Sequence, residues 1–141
     1  MLTACDSGAS AETEAATEAA AAAEGEETAA AETTGDYKIG IITGTVSQGE
    51  EEYQMATQMK EKYGDKIVTA TYPDNFSTET EQTINVVTSM ASDPAVKVIV
   101  FVQAVPGATA AIERVRETRD DILFICGVCA EDPAVIADAA D

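Results

Sequence analysis

The sequence contains no histidine and no tryptophan, and aromatic residues make up only 5% of its 141 residues. Histidine is the commonest general base and the commonest neutral metal ligand in proteins, so its absence weighs against hydrolases and zinc sites. Basic residues are few, 8 against 26 acidic ones, and the net charge of -18 repels nucleic acid and anionic lipid headgroups. We therefore expect no metal, no cofactor and no nucleic-acid partner.

Long apolar runs are also missing, since no stretch approaches the roughly 20 apolar residues that a membrane-spanning helix needs. Cysteine is scarce, and the three cysteines, Cys5, Cys126 and Cys129, do not form a disulfide framework. With 141 residues the sequence holds one domain at most, and part of it does not have the composition of a folded domain.

The residues Leu2-Thr3-Ala4-Cys5 match the lipobox that ends a bacterial lipoprotein signal peptide. The processing site needs small residues before the bond that is cut, and only a thiol accepts the diacylglyceryl group. A complete signal also has a charged segment and an apolar stretch of roughly 7–15 residues before this point. Neither is present, so we interpret residues 1–5 as the remnant of a signal whose front is missing; a chance match is the alternative. Cys5 is then the lipidation site, and the protein is extracytoplasmic and anchored to the bacterial cell membrane.

Residues 6–35 consist of alanine, glutamate, threonine, serine and glycine, with Asp6 as the one exception. Such a segment cannot bury enough apolar surface to offset the entropy lost on ordering, and its like charges repel one another. We predict a disordered linker that holds a folded domain away from the membrane. A tolerated tail without a spacer role is the alternative interpretation.

From residue 36 to residue 141 apolar segments alternate with amphipathic ones. The predicted strands are Lys38–Gly44, Lys66–Tyr72, Lys97–Val102 and Ile122–Cys126. The predicted helices are Glu50–Tyr63, a second ending near Ser92, a third starting at Pro106-Gly107, and Pro133–Ala140. Continuous apolar strands separated by helices predict an α/β fold, a three-layer αβα sandwich around a parallel, Rossmann-like sheet of order 2-1-3-4. Because another strand is due after Asp141, we expect this domain to be truncated.

Two capping boxes are predicted at helix starts. Ser47 with Glu50, and Thr78 with Glu81, have the spacing at which a hydroxyl and a carboxylate satisfy each other's backbone N–H groups. Ser47 is therefore expected to cap the helix Glu50–Tyr63, and Thr78 is expected to open the second helix.

A ligand of an open α/β sheet binds outside the carboxyl ends of the strands, near the switch point in strand order. The loops at these ends supply the candidate ligand-binding residues Thr43, Gly44, Thr45, Ser47, Gln48, Asp74, Asn75, Phe76 and Gln103. The first loop points into a helix N-terminus, which favours an anionic or polar group, and Phe76 is placed to stack on a ring. Residues 127–129 are predicted to form the fourth loop. The alternative is that these residues only cap helices and make turns.

Two further motifs do not indicate chemistry. Residues 44–49 have the glycine spacing of a phosphate loop, but Glu50 stands where the lysine belongs and two more glutamates follow, which would repel phosphate. Cys126 and Cys129 have C-x-x-C spacing, yet Cys126 is expected to complete an apolar strand with its side chain in the core. Nearby Glu131 and Asp132 would raise the pKa of a thiol there.

The runs YKIGIITGTVSQGEEEY, VTATYPDNF, VKVIVFVQAVPGATAAI and EDPAVIADAAD resemble the bacterial lipoprotein family DUF3798 over residues 36–141. This family is similar in architecture to type I periplasmic binding proteins. The resemblance implies a two-lobed extracytoplasmic binding protein, of which this chain is similar to the first lobe. The family's motif positions fall on residues 43–48, 74–76 and 103–106; the paired cysteines depart from its pattern.

The leading hypothesis is thus a solute-binding lipoprotein that captures a small polar ligand for a transporter or a sensor. An anchored α/β domain with a structural or protein-binding role, and no small ligand, is the alternative. An enzyme of the same sheet type is disfavoured by the missing histidine, the failed phosphate loop and the poorly placed cysteines.

Overall fold

The computed structural model of the protein describes residues 35–141. The predicted lipobox with Cys5, and all of the predicted linker except Gly35, lie outside the described residues. The strands are β1 (Lys38–Thr43), β2 (Ile67–Thr71), β3 (Val96–Ala104) and β4 (Leu123–Cys129). The helices are α1 (Val46–Tyr63), α2 (Thr80–Ala91), α3 (Ala108–Arg116) and α4 (Pro133–Ala139), and a 3-10 turn, Gly64–Lys66, follows α1.

The four strands form one parallel sheet in the order β2-β1-β3-β4. This confirms the predicted α/β fold and its strand order. Because all strands run in the same direction, their carboxyl ends and the loops that follow lie along one edge of the sheet, which we call the carboxyl edge. The strand starts and the helix ends lie along the opposite, amino edge.

The main core lies between the sheet and the helices α2, α3 and α4. Ile42, Phe101 and Phe124 of the sheet are completely buried there, as is Ile112 of α3. Full burial of each such side chain stabilises the fold by about 1.5–3 kcal/mol. Gly40 allows α2 to approach closely, because a Cβ atom at this position would lie 2.1 Å from the sulfur of Met90.

The opposite face of the sheet has a much smaller core, formed by Ile41, Ile67 and Ala56 of α1. Helix α1 covers β1 and β2 there, and the outer strand β4 leaves large apolar side chains exposed. Leu123 and Ile125 of β4 are 45% and 43% exposed. The two faces of the sheet are therefore buried to very different extents.

Both predicted capping boxes are wrong. Helix α1 begins at Val46, because Thr45 is the N-cap residue and its N–H donates to Gln48 Oε1 at 3.0 Å. The Ser47 hydroxyl bonds other side chains instead of the backbone. Helix α2 begins only at Thr80, and the Thr78 hydroxyl donates to the carbonyl oxygen of the preceding Asn75 turn at 3.2 Å.

Strand β4 is longer than predicted, and residues 127–129 are not a loop. Val128 pairs with Gln103, and Cys129 pairs with Ala104, because β3 itself continues to Ala104 and keeps offering backbone partners. Gly127 fits at this point because a Cβ atom there would lie 2.4 Å from the carbonyl oxygen of Val102.

Candidate functional site

The candidate site lies at the carboxyl edge around the ends of β1 and β3. Here the chain leaves β1 into α1 on one face of the sheet, and leaves β3 into α3 on the other face. Neighbouring strands whose helices depart to opposite faces open a crevice between the two connecting loops, and this is the usual ligand position in such sheets.

Four of the predicted residues form one hydrogen-bonded cluster. The carboxylate oxygen Oδ1 of Asp74 accepts hydrogen bonds from the hydroxyls of Thr45 and of Ser47, the latter at 3.0 Å. The two hydroxyl oxygens lie 2.8 Å apart. Gln48 Nε2 donates to the carbonyl oxygen of Asp74 at 2.9 Å. These contacts tie the loop after β1 to the loop after β2, and Ser47, Gln48 and Asp74 are all exposed to solvent.

Gly44 lets the first loop close on this cluster. A Cβ atom at Gly44 would lie 3.1 Å from both Cβ and Oε1 of Gln48, which is closer than most Cβ contacts. Thr43 does not belong to the exposed cluster, since it is only 2% exposed and its hydroxyl donates to the Gly44 carbonyl oxygen at 2.9 Å.

Phe76, which was predicted to stack on a ligand ring, packs against the main core instead. Its ring packs edge to face on Tyr72, with 6.3 Å between the ring centroids. Phe76 is half-buried against the main core, so its visible role is packing. Asn75 is exposed, and its carbonyl oxygen accepts the N–H of Thr78 at 2.9 Å, which closes the turn that precedes α2.

Gln103 contacts a residue that the sequence analysis did not select. Its Nε2 donates to Glu52 Oε1 at 2.8 Å, which joins the end of β3 to α1. The other oxygen, Glu52 Oε2, is buried and has no hydrogen-bond partner among residues 35–141. From the sequence, the glutamates after Gly49 were interpreted only as a group that repels phosphate. Their position near the start of α1 is the signal that could have indicated that one of them, Glu52, reaches the end of β3.

Tyr72 was also missed, because it ends an apolar strand and carries no motif. It is 1% exposed, and its hydroxyl forms no hydrogen bond of normal geometry within the described residues. Burial raises the pKa of Tyr72 to about 12; the nearby backbone of Gln103 acts in the opposite direction, and the charge of Glu52 adds to the increase. The hydroxyl thus lies near the backbone of Gln103, whose side chain contacts Glu52.

The two cysteines of β4 are free thiols. Cys126 lies in the strand and packs partly against the main core, as predicted. Burial raises the pKa of its thiol to about 11, with smaller contributions from Cys129 and Glu131. Residues three apart in a strand point to opposite faces, so the geometry does not favour a redox pair.

The N-terminus of α3 is occupied by the chain's own carboxylate. Glu131 accepts hydrogen bonds from the N–H groups of Gly107 and Thr109 at 2.6 and 3.0 Å, and from the Thr109 hydroxyl at 2.6 Å. A carboxylate is favoured here by the unpaired N–H groups and the helix dipole. This end of the crevice is therefore closed by a contact from the loop after β4.

Residues 35–141 include no group of three or more metal-ligating side chains arranged around one point. Within the same residues, no helix combines the length and apolarity required to cross a bilayer.

Known proteins resemble the chain over about three quarters of its length. It is 29% identical over 113 residues to an uncharacterized protein of Treponema pallidum (strain Nichols), which covers 75% of this chain and 51% of that protein. It is also similar to a crystal structure from Clostridium difficile 630, of a protein provisionally described as a transcriptional regulator. That likeness has a TM-score of 0.68 and 27% identity, and covers 75% of this chain and 33% of the other. The chain thus spans about half the length of the one relative and a third of the other.

The family described as "Protein of unknown function (DUF3798)" matches residues 37–141. This match covers most of the chain and all four strands of the sheet. The chain therefore belongs to the DUF3798 family.

Proposed function

We propose that the protein is an extracytoplasmic, lipid-anchored binding protein, in which this α/β domain forms one wall of a site for a small polar molecule. The observation that supports this function best is the cluster of Thr45, Ser47, Gln48 and Asp74, which lies at the carboxyl edge where the loops after β1 and β2 meet. Exposed hydroxyl, amide and carboxylate groups held in fixed positions are the features that orient a polar ligand. The function is binding and not catalysis, and delivery goes to a transporter or a sensor.

The anchor in this proposal is a lipid on Cys5, which lies outside the described residues. Palmitate labelling of cells that express the whole protein, compared with its Cys5→Ser variant, tests the anchor. Label should be incorporated in the parent and lost in the variant, and equal label in both would contradict lipidation at this residue.

The binding function is tested by a thermal-shift screen of the whole protein against amino acids, sugars, nucleosides and purines. A ligand that binds only the native state stabilises it by about 2.7 kcal/mol when present at 100 times its Kd. At least one compound should raise Tm, and that rise should shrink in the Asp74→Ala variant. A flat response across the whole set would contradict the proposal.

A second candidate is an anchored domain that binds a protein partner and no small molecule. It is favoured by the exposed apolar side chains of Leu123, Ile125 and Val128, which lie on the outer strand β4. Exposed apolar groups on a free strand edge are typical of contact surfaces. Replacing Ile125 by lysine would abolish binding of a partner at this surface and leave a ligand-induced rise in Tm unchanged, which separates the two candidates.

The relative that is described as a transcriptional regulator does not add a third candidate. The net charge of -18 opposes contact with the DNA backbone, whose binding requires basic side chains. The likeness to that structure covers a third of it, which supports a shared domain and not a shared DNA-binding function.

A further inference from the structure

The charges of this domain are sorted between the two edges of its sheet. All eight basic residues of the sequence are placed at strand starts, at helix ends, or in the turns that join them, and therefore lie at the amino edge. They are Lys38, Lys60, Lys62, Lys66, Lys97, Arg114, Arg116 and Arg119. Several of them are already paired there, as Lys38 is with Asp93 at 2.7 Å.

The carboxyl edge has carboxyl groups without cationic partners. Neither Asp74 nor Glu52 forms an ion pair with any residue in the described part of the chain. Asp74 is exposed, and two hydroxyls donate to its Oδ1. Such donors fix the orientation of the carboxylate. A ligand of this edge therefore meets negative charge with no basic side chain to compensate it.

Buried polar atoms without a partner are a second, independent sign of a ligand at this edge. Tyr72 is 1% exposed, and its hydroxyl lies near the backbone of Gln103 but forms no hydrogen bond of normal geometry within residues 35–141. The Oε2 atom of Glu52 is buried without a partner in the same part of the structure. An unpaired buried polar atom is unfavourable, and a charged one more so, and two of them together therefore favour a partner that donates hydrogen bonds.

We infer that the ligand bound at the carboxyl edge carries a positively charged nitrogen, as in a small amine, with Asp74 and Glu52 as its counter-ions. This inference rests on the proposed binding function and specifies the chemistry of its ligand. An ammonium group has three N–H donors and no acceptor, which matches an edge that offers carboxylate and hydroxyl oxygens. Anionic ligands are disfavoured, because Glu131 already occupies the N-terminus of α3 and no lysine or arginine lies at this edge.

The test is a thermal-shift panel on the whole protein, sorted by charge. The amines are 1,4-diaminobutane, agmatine and L-lysine; the neutral compounds are 1,4-butanediol, glucose and adenosine; the anions are succinate, glutarate and phosphate. Compounds that raise Tm should come from the amines, and their Kd should increase when NaCl is raised from about 20 to about 200 mM, since salt screens charge pairs.

Three variants assign the effect to this site by calorimetric titration with an amine that binds. Asp74→Asn and Glu52→Gln should each raise its Kd by about tenfold or more, which corresponds to about 1.4 kcal/mol. Asp74→Glu retains the charge and should restore most of the affinity, which separates loss of charge from loss of folding. Glu61→Gln, an exposed carboxylate on the same helix as Glu52, is the matched control and should change Kd by less than about twofold.

The outcomes of the panel are distinguishable. Binding confined to neutral or anionic compounds would overturn this inference and leave the proposed binding function standing. Amine binding that Asp74→Asn and Glu52→Gln weaken no more than Glu61→Gln does would overturn it as well. No response to any compound would overturn both.

Discussion

The contact between Glu131 and the start of α3 allows the sharpest prediction about the stability of this domain. Its carboxylate accepts three hydrogen bonds, from the N–H groups of Gly107 and Thr109 and from the Thr109 hydroxyl, at 2.6–3.0 Å. A typical hydrogen bond contributes a net of about 1 kcal/mol, so the three together contribute about 3 kcal/mol. Glu131→Ala should therefore lower the free energy of unfolding by roughly that amount, and lower Tm by roughly 10–20 °C for a domain of this size.

The measurement is urea denaturation followed by circular dichroism, with the parent and the variants compared at pH 7. Thr109→Val removes only one of the three hydrogen bonds and should produce about a third of the loss. In the double variant the two losses should not add, because both remove the same contact. Glu113→Gln, an exposed carboxylate on α3, is the control for charge and should change stability by less than about 0.5 kcal/mol.

A loss below about 1 kcal/mol for Glu131→Ala, or strict additivity with Thr109→Val, would refute the reasoning. Either result would mean that water replaces the carboxylate with little change in the free energy of unfolding, and that the loop after β4 does not stabilise α3. The losses of unfolding free energy expected for Glu131→Ala, about 3 kcal/mol, and for the control Glu113→Gln, below about 0.5 kcal/mol, differ enough to be distinguished by urea denaturation.

Three other predictions concern groups outside this contact. The hydrogen bond from Arg119 lowers the pKa of Asp121 in the folded state, so the stability that this contact provides is present above the unfolded pKa of about 4 and is lost as pH falls. The urea concentration at the unfolding midpoint should therefore decrease as pH is lowered from about 5 to about 2, and it should decrease less in Asp121→Asn. Arg119 also donates to two backbone carbonyl oxygens ahead of β3 at 2.8 and 2.9 Å, and a lysine cannot reach both acceptors at once. Arg119→Lys should therefore lower the free energy of unfolding by about 2 kcal/mol in urea denaturation, and a loss no larger than that of the same substitution at an exposed arginine would contradict this. Iodoacetamide at pH 7.5 should modify exposed Cys129 and spare Cys126, whose thiol has a pKa raised to about 11; peptide mass spectrometry that found equal labelling would contradict this.

The order of the elements could be predicted because each depends on local pattern. Four apolar runs bounded by glycine or proline indicated four strands, and helical segments between them required parallel pairing with crossovers. In α3, Ala111, Ile112 and Val115 have the spacing of one helix face, and all three are buried. The strand order 2-1-3-4 was an expectation from sheets of this type, and the structure confirms it.

Helix starts could not be predicted from spacing, because several residue pairs competed for each cap. Thr45 with Gln48 and Ser47 with Glu50 both satisfy the spacing, and contact with Asp74, 27 residues further along the chain from Ser47, draws the Ser47 hydroxyl away from the backbone. The end of β4 has the same kind of cause, since its last residues are strand only because β3 continues beside them.

By itself, the sequence determined the fold class, and it supplied all four residues of the cluster of Thr45, Ser47, Gln48 and Asp74 as candidates. These depend on hydrophobic periodicity and on where strands end, which are local properties of the chain. Only the tertiary structure decided that Thr43 and Phe76 turn inward, that Glu52 meets Gln103, and that Glu131 fills the start of α3. The last two contacts join residues that are far apart in the sequence, and the partner of a polar side chain across a sheet is set by packing and not by its neighbours in sequence.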